Sequence, residues 1–206
     1  MKKWLIIGFS LIFIGFAMSI IGLVNDGFDF QINNIINKET KTYTYSEENI
    51  EAIEYEGKIG QIKIVSVSSE DVKITIKRSF NIDFKLEVED NVIRINQIMG
   101  IGFGDSEDAS EVTIYIPSDN NIDINIMTNI GDVEISNVKS NNINVSINVG
   151  DIDIDNVEFT NLTVVVSIGD IDISLIDSKD NYIINGKGNG NKEIKANTNI
   201  GELEIN

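Results

Sequence analysis

The stretch Asn129-Ile-Gly-Asp-Val-Glu-Ile135 decides the fold, because it recurs three more times along the chain. The further copies are Asn148–Ile154, Ser167–Ile173 and Asn199–Ile205. The glycines of the first three copies are 19 residues apart, and the fourth glycine follows 32 residues later. A period of about 20 residues is typical of a β-solenoid, in which a repeat buries its apolar face by stacking on its neighbours.

The repeat extends beyond this motif. An aliphatic residue stands seven positions before each glycine, at Ile124, Ile143, Leu162 and Ile194. Each unit therefore reads as two short strands that meet at a corner made of glycine and an acidic residue. Glycine suits such a corner because it tolerates bends at which a Cβ atom would clash. Stacked units would place equivalent aliphatic side chains about 4.8 Å apart, in continuous ladders.

Alternation of apolar and polar residues also continues upstream of the repeat. It is clear in Ile59–Ile64, Val72–Ile76 and Val112–Ile116, and it is the pattern of half-buried strands. The sequence therefore predicts an all-β fold, a β-solenoid over residues 46–206 that is irregular before about residue 120. The longer last spacing holds a glycine-rich insertion between Asp180 and Glu193, for which we expect a projecting loop.

The N-terminal segment has the composition of a membrane anchor. Lys2 and Lys3 precede an uncharged run from Trp4 to Val24. About 21 residues span roughly 31 Å as a helix, enough to cross a hydrocarbon core. The length favours an uncleaved signal anchor (residues 1–24) over a cleaved signal peptide, whose apolar region runs about 7–15 residues. The positive flank predicts a cytoplasmic N-terminus, a juxtamembrane spacer at 25–45 and an extracellular β-domain.

Composition excludes several classes of function. The chain has no His and no Cys, so it cannot contain a Ser-His-Asp triad, a Cys-His pair, a disulfide or a zinc site built from those residues. It carries 33 Asp and Glu against 16 Lys and Arg, a net charge of −17. This balance argues against a nucleic-acid binder, which needs basic surfaces to contact phosphates.

Several short motifs resemble the putative-adhesin, β-strand-repeat domains of unknown function. The opening Asn49-Ile-Glu-Ala-Ile-Glu54, the step Ile114-Tyr-Ile-Pro117 and the closing Thr198–Ile205 match that pattern, whereas Gln61 and Glu202 depart from it at two corners. The resemblance implies a right-handed, β-helix-like domain at the cell surface, and it brings no catalytic or binding residues with it. The anchored layout also resembles membrane-anchored accessory proteins of envelope-stress sensing systems.

Stacking would align acidic side chains in two columns on one face. The first column is Asp132, Asp151 and Asp170, and the second is Glu134, Asp153 and Asp172. Carboxylates about 5 Å apart repel each other by roughly 0.9 kcal/mol even in water. The columns are therefore a solvated surface, a ladder that shares a hard cation such as Ca²⁺, or a catalytic carboxylate pair. These six residues are the candidate metal ligands, and we expect no cofactor other than Ca²⁺.

Three functional hypotheses follow. The leading one is a non-enzymatic, membrane-anchored scaffold of the cell surface that docks an envelope protein, in a stress-sensing context. The second is a cation-dependent adhesin that binds wall or external glycans, and the third is a carboxylate-based enzyme that cleaves glycans. We also expect that the end of the solenoid could pair with another copy through its exposed strand edge, which would give a homo-oligomer.

Overall fold

The structure is a computed structural model that describes residues 39–46, 49–79, 82–99, 109–177, 179–187 and 190–206. The first strands are β1 (Glu39–Tyr45), β2 (Ala52–Glu56), β3 (Gln61–Val67), β4 (Val72–Arg78), β5 (Ile82–Glu89), β6 (Val92–Met99), β7 (Glu111–Pro117) and β8 (Asp123–Ile130). The others are β9 (Val133–Ser136), β10 (Asn142–Val149), β11 (Ile152–Asp155), β12 (Asn161–Ile168), β13 (Ile171–Ser174), β14 (Tyr182–Ile184), β15 (Lys192–Ile200) and β16 (Leu203–Ile205). A single 3₁₀ turn at Lys179–Asn181 is the only helical element in these ranges. The all-β prediction is confirmed.

The predicted signal anchor lies outside the described residues, as does most of the predicted spacer. Among the residues that the structure does describe, none belongs to a helix with the length and apolar content of a membrane span. Within the spacer, Glu39–Tyr45 forms β1, which pairs antiparallel with β4. The β-structure therefore begins earlier than residue 46, because the alternating Thr and Tyr residues of this segment suit an edge strand.

The four motif copies form four stacked rungs, each made of a long strand, a glycine corner and a short strand. These rungs are β8–β9, β10–β11, β12–β13 and β15–β16, and all their neighbours pair in parallel. The aliphatic residue that precedes each glycine by seven positions pairs with its equivalent in the next rung, as Ile124 does with Ile143. The repeat predicted from the sequence is therefore the physical stacking unit.

The strands form two eight-stranded sheets that enclose one core. Sheet A has the order β1-β4-β7-β3-β9-β11-β13-β16, and sheet B has the order β14-β15-β12-β10-β8-β2-β6-β5. Inward-facing Ile, Val and Leu side chains from both sheets form the core, and Ile53, Ile64, Ile114 and Ile154 are fully buried. Each such side chain contributes about 1.5–3 kcal/mol when it leaves water. The handedness of the coil stays a prediction.

The first half of the chain does not stack in chain order. The rung β2–β3 lies beside β8–β9, while the later strands β6 and β7 lie on its other side. After β2 and β3, the chain first adds β4 to β7 on one side of this rung and then adds β8 and β9 on its other side. Antiparallel strands β4 and β5 pair with β7 and β6 at this end of the sheets.

The insertion in the last repeat unit is not a projecting loop throughout. Its strand β14 pairs with β15 and forms the edge of sheet B. Tyr182 is 1% exposed and its ring lies 5.6 Å from that of Phe159, which is 4% exposed. The insertion therefore covers part of the core with an aromatic side chain.

Candidate functional site

The glycine corners bring the acidic residues of successive rungs into register. Gly150 has a φ of +141°, and a Cβ atom there would collide with the carbonyl oxygen of Gly131 in the preceding rung. The corners consequently approach more closely than any side chain would allow. Because each acidic residue follows its glycine directly, the close stacking fixes the spacing of the first acidic column.

The first column is held by hydrogen bonds from side chain to backbone. Asp132 Oδ1 accepts the N–H of Asp151 at 3.1 Å, and Asp151 Oδ1 accepts the N–H of Asp170 at 2.8 Å. Asp170 Oδ1 accepts the N–H of Glu202 at 2.7 Å. A carboxylate is a strong acceptor, so each bond offsets part of the repulsion between neighbouring charges. One carboxylate oxygen of each aspartate in this column is thus used to accept a backbone hydrogen bond from the next rung.

The second column crosses the middle of the short strands of sheet A. Glu134, Asp153, Asp172 and Glu204 are direct neighbours in the parallel register. Lys63 of β3 adjoins Glu134 in the same row and forms an ion pair with it. This end of the row is therefore neutralised, whereas the other acidic side chains of the column have no ion pair with a described residue.

Asp153 lies at the centre of this column. Partial burial of its carboxyl group raises the pKa although the residue as a whole is exposed, and the carboxylates of Asp172, Glu134 and Asp155 raise it further. Lys63 acts in the opposite direction but more weakly. The column therefore concentrates negative charge enough to disfavour ionisation of its central member.

The six candidate metal ligands are spread over two rows and do not converge. In the described part of the chain, no three side chains of Asp, Glu, His or Cys form a group that could hold a metal ion. Calcium ligation by Asp132, Glu134, Asp151, Asp153, Asp170 and Asp172 stays a prediction. What the geometry establishes is an exposed, regular acidic surface on the C-terminal half of sheet A, here called the acidic face.

The acidic face comprises the outward side chains of β9, β11, β13 and β16 and of the corners before them. Its carboxylates belong to Asp132, Glu134, Asp151, Asp153, Asp155, Asp170, Asp172, Glu202 and Glu204. All of these residues are exposed except Glu134, which is half-buried. The remaining half of sheet A differs, because Thr75, Thr113 and Lys63 continue the central row there.

Two features of this face were not part of the sequence-based expectation. One is the ion pair between Lys63 and Glu134, which depends on the stacking of β3 against β9. The other is the hydrogen bond that an aspartate oxygen accepts from a backbone N–H of the next rung. The signal for the first was present in the sequence, because Lys58-Ile-Gly-Gln-Ile-Lys-Ile64 is a fainter, earlier copy of the motif in which Lys63 occupies the position of Glu134.

The aromatic residues of the repeat region do not form a sugar-stacking surface. Phe159 and Tyr182 are both buried and pack on each other. Asparagine side chains at the corners form only a short amide ladder in the described rungs. Asn148 Nδ2 donates to Asn129 Oδ1 at 3.0 Å, but Ser167 occupies the next rung before Asn199.

Comparison with solved structures identifies proteins of similar fold. A putative cell adhesion protein from Clostridium sporogenes matches with a TM-score of 0.56 and 16% identity, over 81% of this chain and 98% of that chain. A putative adhesin from Bacteroides fragilis matches with a TM-score of 0.39 and 14% identity, over 82% and 98% of the two chains. At these identities the likeness concerns the fold alone.

Comparison at the sequence level adds one positive result. A sequence profile of the Toastrack DUF4097 family matches residues 43–206. The matched segment covers nearly all of the described β-structure, from the end of β1 to β16. No curated protein matches the chain.

Proposed function

The chain belongs to the Toastrack DUF4097 family, and from that premise we propose that it is a non-enzymatic interaction module of the bacterial cell surface. In this proposal the N-terminal segment anchors the chain in the membrane and the β-domain lies outside. The right-handed coil and a place beside an envelope-stress sensing system belong to the same proposal. Its binding element is the acidic face, which docks a basic surface of a neighbouring envelope protein.

The regularity of the acidic face carries this proposal. The carboxylates repeat with the rungs, and the first column is tied to the backbone by three successive hydrogen bonds. Such a surface is rigid before binding, so little conformational entropy is lost when a partner docks. Complementary charge steers association and selects the partner, and a face of this sign repels polyanions.

The sequence holds no Ser-His-Asp or Cys-His set of catalytic residues, which agrees with a binding role. The chain has no His and no Cys. The acidic residues of the described rungs recur at equivalent positions in each rung, as a surface pattern does, whereas a catalytic pair of carboxylates would break the repeat at one place. The relative from Clostridium sporogenes is named as a putative cell adhesion protein. These three observations support an interaction module over an enzyme.

Crosslinking on intact cells tests the proposal. The full chain would carry a tag after Asn206, and captured proteins would be identified in parent and variant cells. The test variant is Asp153→Lys with Asp172→Lys, which are neighbours on the acidic face. The matched control is Asn144→Lys with Thr163→Lys, which are neighbours on the outward side of sheet B.

We expect a specific envelope protein to be captured by the parent and by the control variant, and to be lost from the acidic-face variant. Equal capture by both variants would contradict docking through this face. Both double variants place two lysines on adjacent rungs at outward positions, so an effect of the lysine side chains themselves would appear in both. The net charge rises by 4 in the test variant, which replaces two acids, and by 2 in the control.

A second candidate function is cation-dependent adhesion to wall or external glycans. The observation in its favour is the charge crowding at Asp153, whose pKa is raised by burial and by the neighbouring carboxylates. A divalent cation bound along the column would relieve that crowding. This candidate predicts that glycan binding is lost when a chelator is added.

A further inference from the structure

A cleft with both polar and apolar lining opens on the outward side of sheet B. It lies where β6, β2, β8 and β10 pass beneath the turn that follows β2 and begins at Gly57. Its volume is about 400 Å³. This volume falls within the range of about 300–1,000 Å³ that small-molecule sites occupy.

The cleft exists because the ladder between β2 and β6 stops early. The last paired residues of these strands are Glu56 and Asn96. Beyond this pair, hydrogen bonds made by the side chain of Gln97 take the place of backbone hydrogen bonds between the two segments. Its Oε1 accepts the N–H groups of Lys58 and Ile59 at 2.6 and 2.9 Å, and its Nε2 donates to the carbonyl oxygen of Ile59 at 2.6 Å.

The wall of the cleft is therefore rigid. Gln97 is 7% exposed, and its Nε2 also donates to Ser110 Oγ at 2.9 Å. Both ends of this amide are fully engaged, which fixes the turn at Lys58 and Ile59 relative to β6. A site built on such supports holds its shape without a ligand.

The lining of the cleft carries no net charge. Its ionisable residues are Glu56 and Lys58, one acid and one base, and neither side chain has a hydrogen bond or ion pair with a described residue. Asn96 and Ser146 are likewise free of side-chain partners among the described residues. The cleft thus offers donors and acceptors of both kinds to a neutral ligand.

An apolar contact adjoins these polar groups. Met127 lines the cleft and is 50% exposed. Asn148 and Asn129 stand beside it, and their mutual hydrogen bond leaves Asn129 Nδ2 and Asn148 Oδ1 without a described partner. A flexible thioether beside paired amides suits a ligand that has hydroxyl groups on its edge and C–H groups on its face.

Two buried hydroxyl groups adjoin the floor of the cleft. Tyr55 is 2% exposed and Thr128 is 5% exposed, and neither Tyr55 Oη nor Thr128 Oγ1 has a hydrogen-bond partner in the described part of the chain. Thr128 itself lines the cleft. The ring and hydroxyl of Tyr55 lie against Gly57, since a Cβ atom there would collide with them.

Unpaired buried hydroxyls cost free energy, and native structures rarely leave them so. Of the two hydroxyls, only that of Thr128 belongs to a residue that lines the cleft, so its Oγ1 is the partner that a ligand hydroxyl would find, whereas Tyr55 Oη lies in the core behind Gly57. This is an observation separate from the shape and the charge of the cleft.

We propose that this cleft binds a neutral carbohydrate unit of a glycan. The balanced charge disfavours phosphates and carboxylated sugars, and a lining that is about equally polar and apolar suits the mixed surface of a sugar. The site would support adhesion to glycans without a cation, and in this it differs from the cation-dependent candidate described above. It is independent of docking through the acidic face.

A substitution on β10 tests the site. Ser146→Tyr would fill the cleft from an exposed outward position, and Asn144→Tyr makes the same change one pleat away, outside the lining. The full chain in detergent would be captured by a tag after Asn206 and applied to an array of neutral oligosaccharides of hexoses and N-acetylhexosamines. Binding would be measured with and without EDTA, alongside thermal melts of each variant.

We expect at least one neutral oligosaccharide to bind, with EDTA having no effect and Ser146→Tyr weakening binding by about tenfold or more, because the ligand loses its contacts. Asn144→Tyr should bind as the parent does. No binding by a parent protein that melts cooperatively would overturn the site, as would equal binding by Ser146→Tyr.

The outcome also separates this site from the cation-dependent candidate. Binding that EDTA abolishes, and that Asp153→Asn with Asp172→Asn removes while Ser146→Tyr does not, would place the glycan on the acidic face and overturn the cleft. Binding lost only in Ser146→Tyr would support the cleft and leave the acidic face to the protein partner.

Discussion

Asp151 Oδ1 accepts the backbone N–H of Asp170 at 2.8 Å, so the carboxylate of one rung holds the corner of the next. The same bond joins Asp132 to Asp151 and Asp170 to Glu202. Like charges stacked at this spacing would repel each other, and the hydrogen bonds oppose that repulsion. The column is thus part of the framework that keeps the acidic face regular.

Removing this bond should destabilise the fold modestly. We expect Asp151→Ala to lower the free energy of unfolding by about 1 kcal/mol, and Asp151→Asn to change it much less, because the amide keeps an acceptor oxygen and removes a like charge. Urea denaturation of the full chain in detergent would measure both. Asp155→Ala is the control, since that side chain has no described partner, and an equal loss in both alanine variants would contradict the structural role of Asp151.

The glycine corners should tolerate substitution least. We expect Gly150→Ala to cost about 3 kcal/mol or more, because its positive φ is strained for alanine and the methyl group would collide with the backbone of Gly131. Gly186→Ala is the matched control. It also has a positive φ, +76°, but nothing lies within 4 Å of the added methyl, so we expect a loss of about 1 kcal/mol. Equal losses in chemical denaturation would show that packing at the corner is unimportant.

The regular rungs could be predicted because their period, corner glycines and aliphatic positions are all local in sequence. Ile124 and Ile143 pair as the spacing implies, and Asp153 adjoins Asp172 for the same reason. Once the repeat is identified, the register of each rung on the next has one solution that buries the aliphatic face.

The order of the first rungs could not be predicted in this way. The strands of every rung have a similar alternation of apolar and polar residues. This alternation therefore does not predict which rung β2 and β3 will pair with. The choice depends on contacts between distant residues, such as the bond between Gln97 and Lys58, which are 39 positions apart. The cleft beside Gln97 depends on that same contact, and for this reason the sequence did not indicate it.

The charge of Asp153 should make stability depend on pH. Burial and the neighbouring carboxylates raise its pKa above the usual 3.8, so the folded chain holds this proton more tightly than the unfolded chain does. The resulting stabilisation is fully present at low pH and is lost as pH rises through the folded-state pKa. We therefore expect Asp153→Asn to melt at a higher temperature than the parent near pH 7, and this difference to shrink as pH falls below about 4. A difference that does not change with pH would show that charge crowding is not the cause.

Calcium binding would act on the same column. We expect Ca²⁺ at about millimolar concentration to raise the melting temperature of the full chain in detergent beyond a Na⁺ control of equal ionic strength, since a cation that binds the folded state stabilises it. The variant Asp153→Asn with Asp172→Asn should lose this increment, because it removes two neighbouring carboxylates from the row. Superimposable melts of the parent in the two salts would reject Ca²⁺ ligation. The proposed docking of a basic partner would then rest on an acidic face that carries its charge without a bound cation, and the partner itself would relieve the crowding at Asp153.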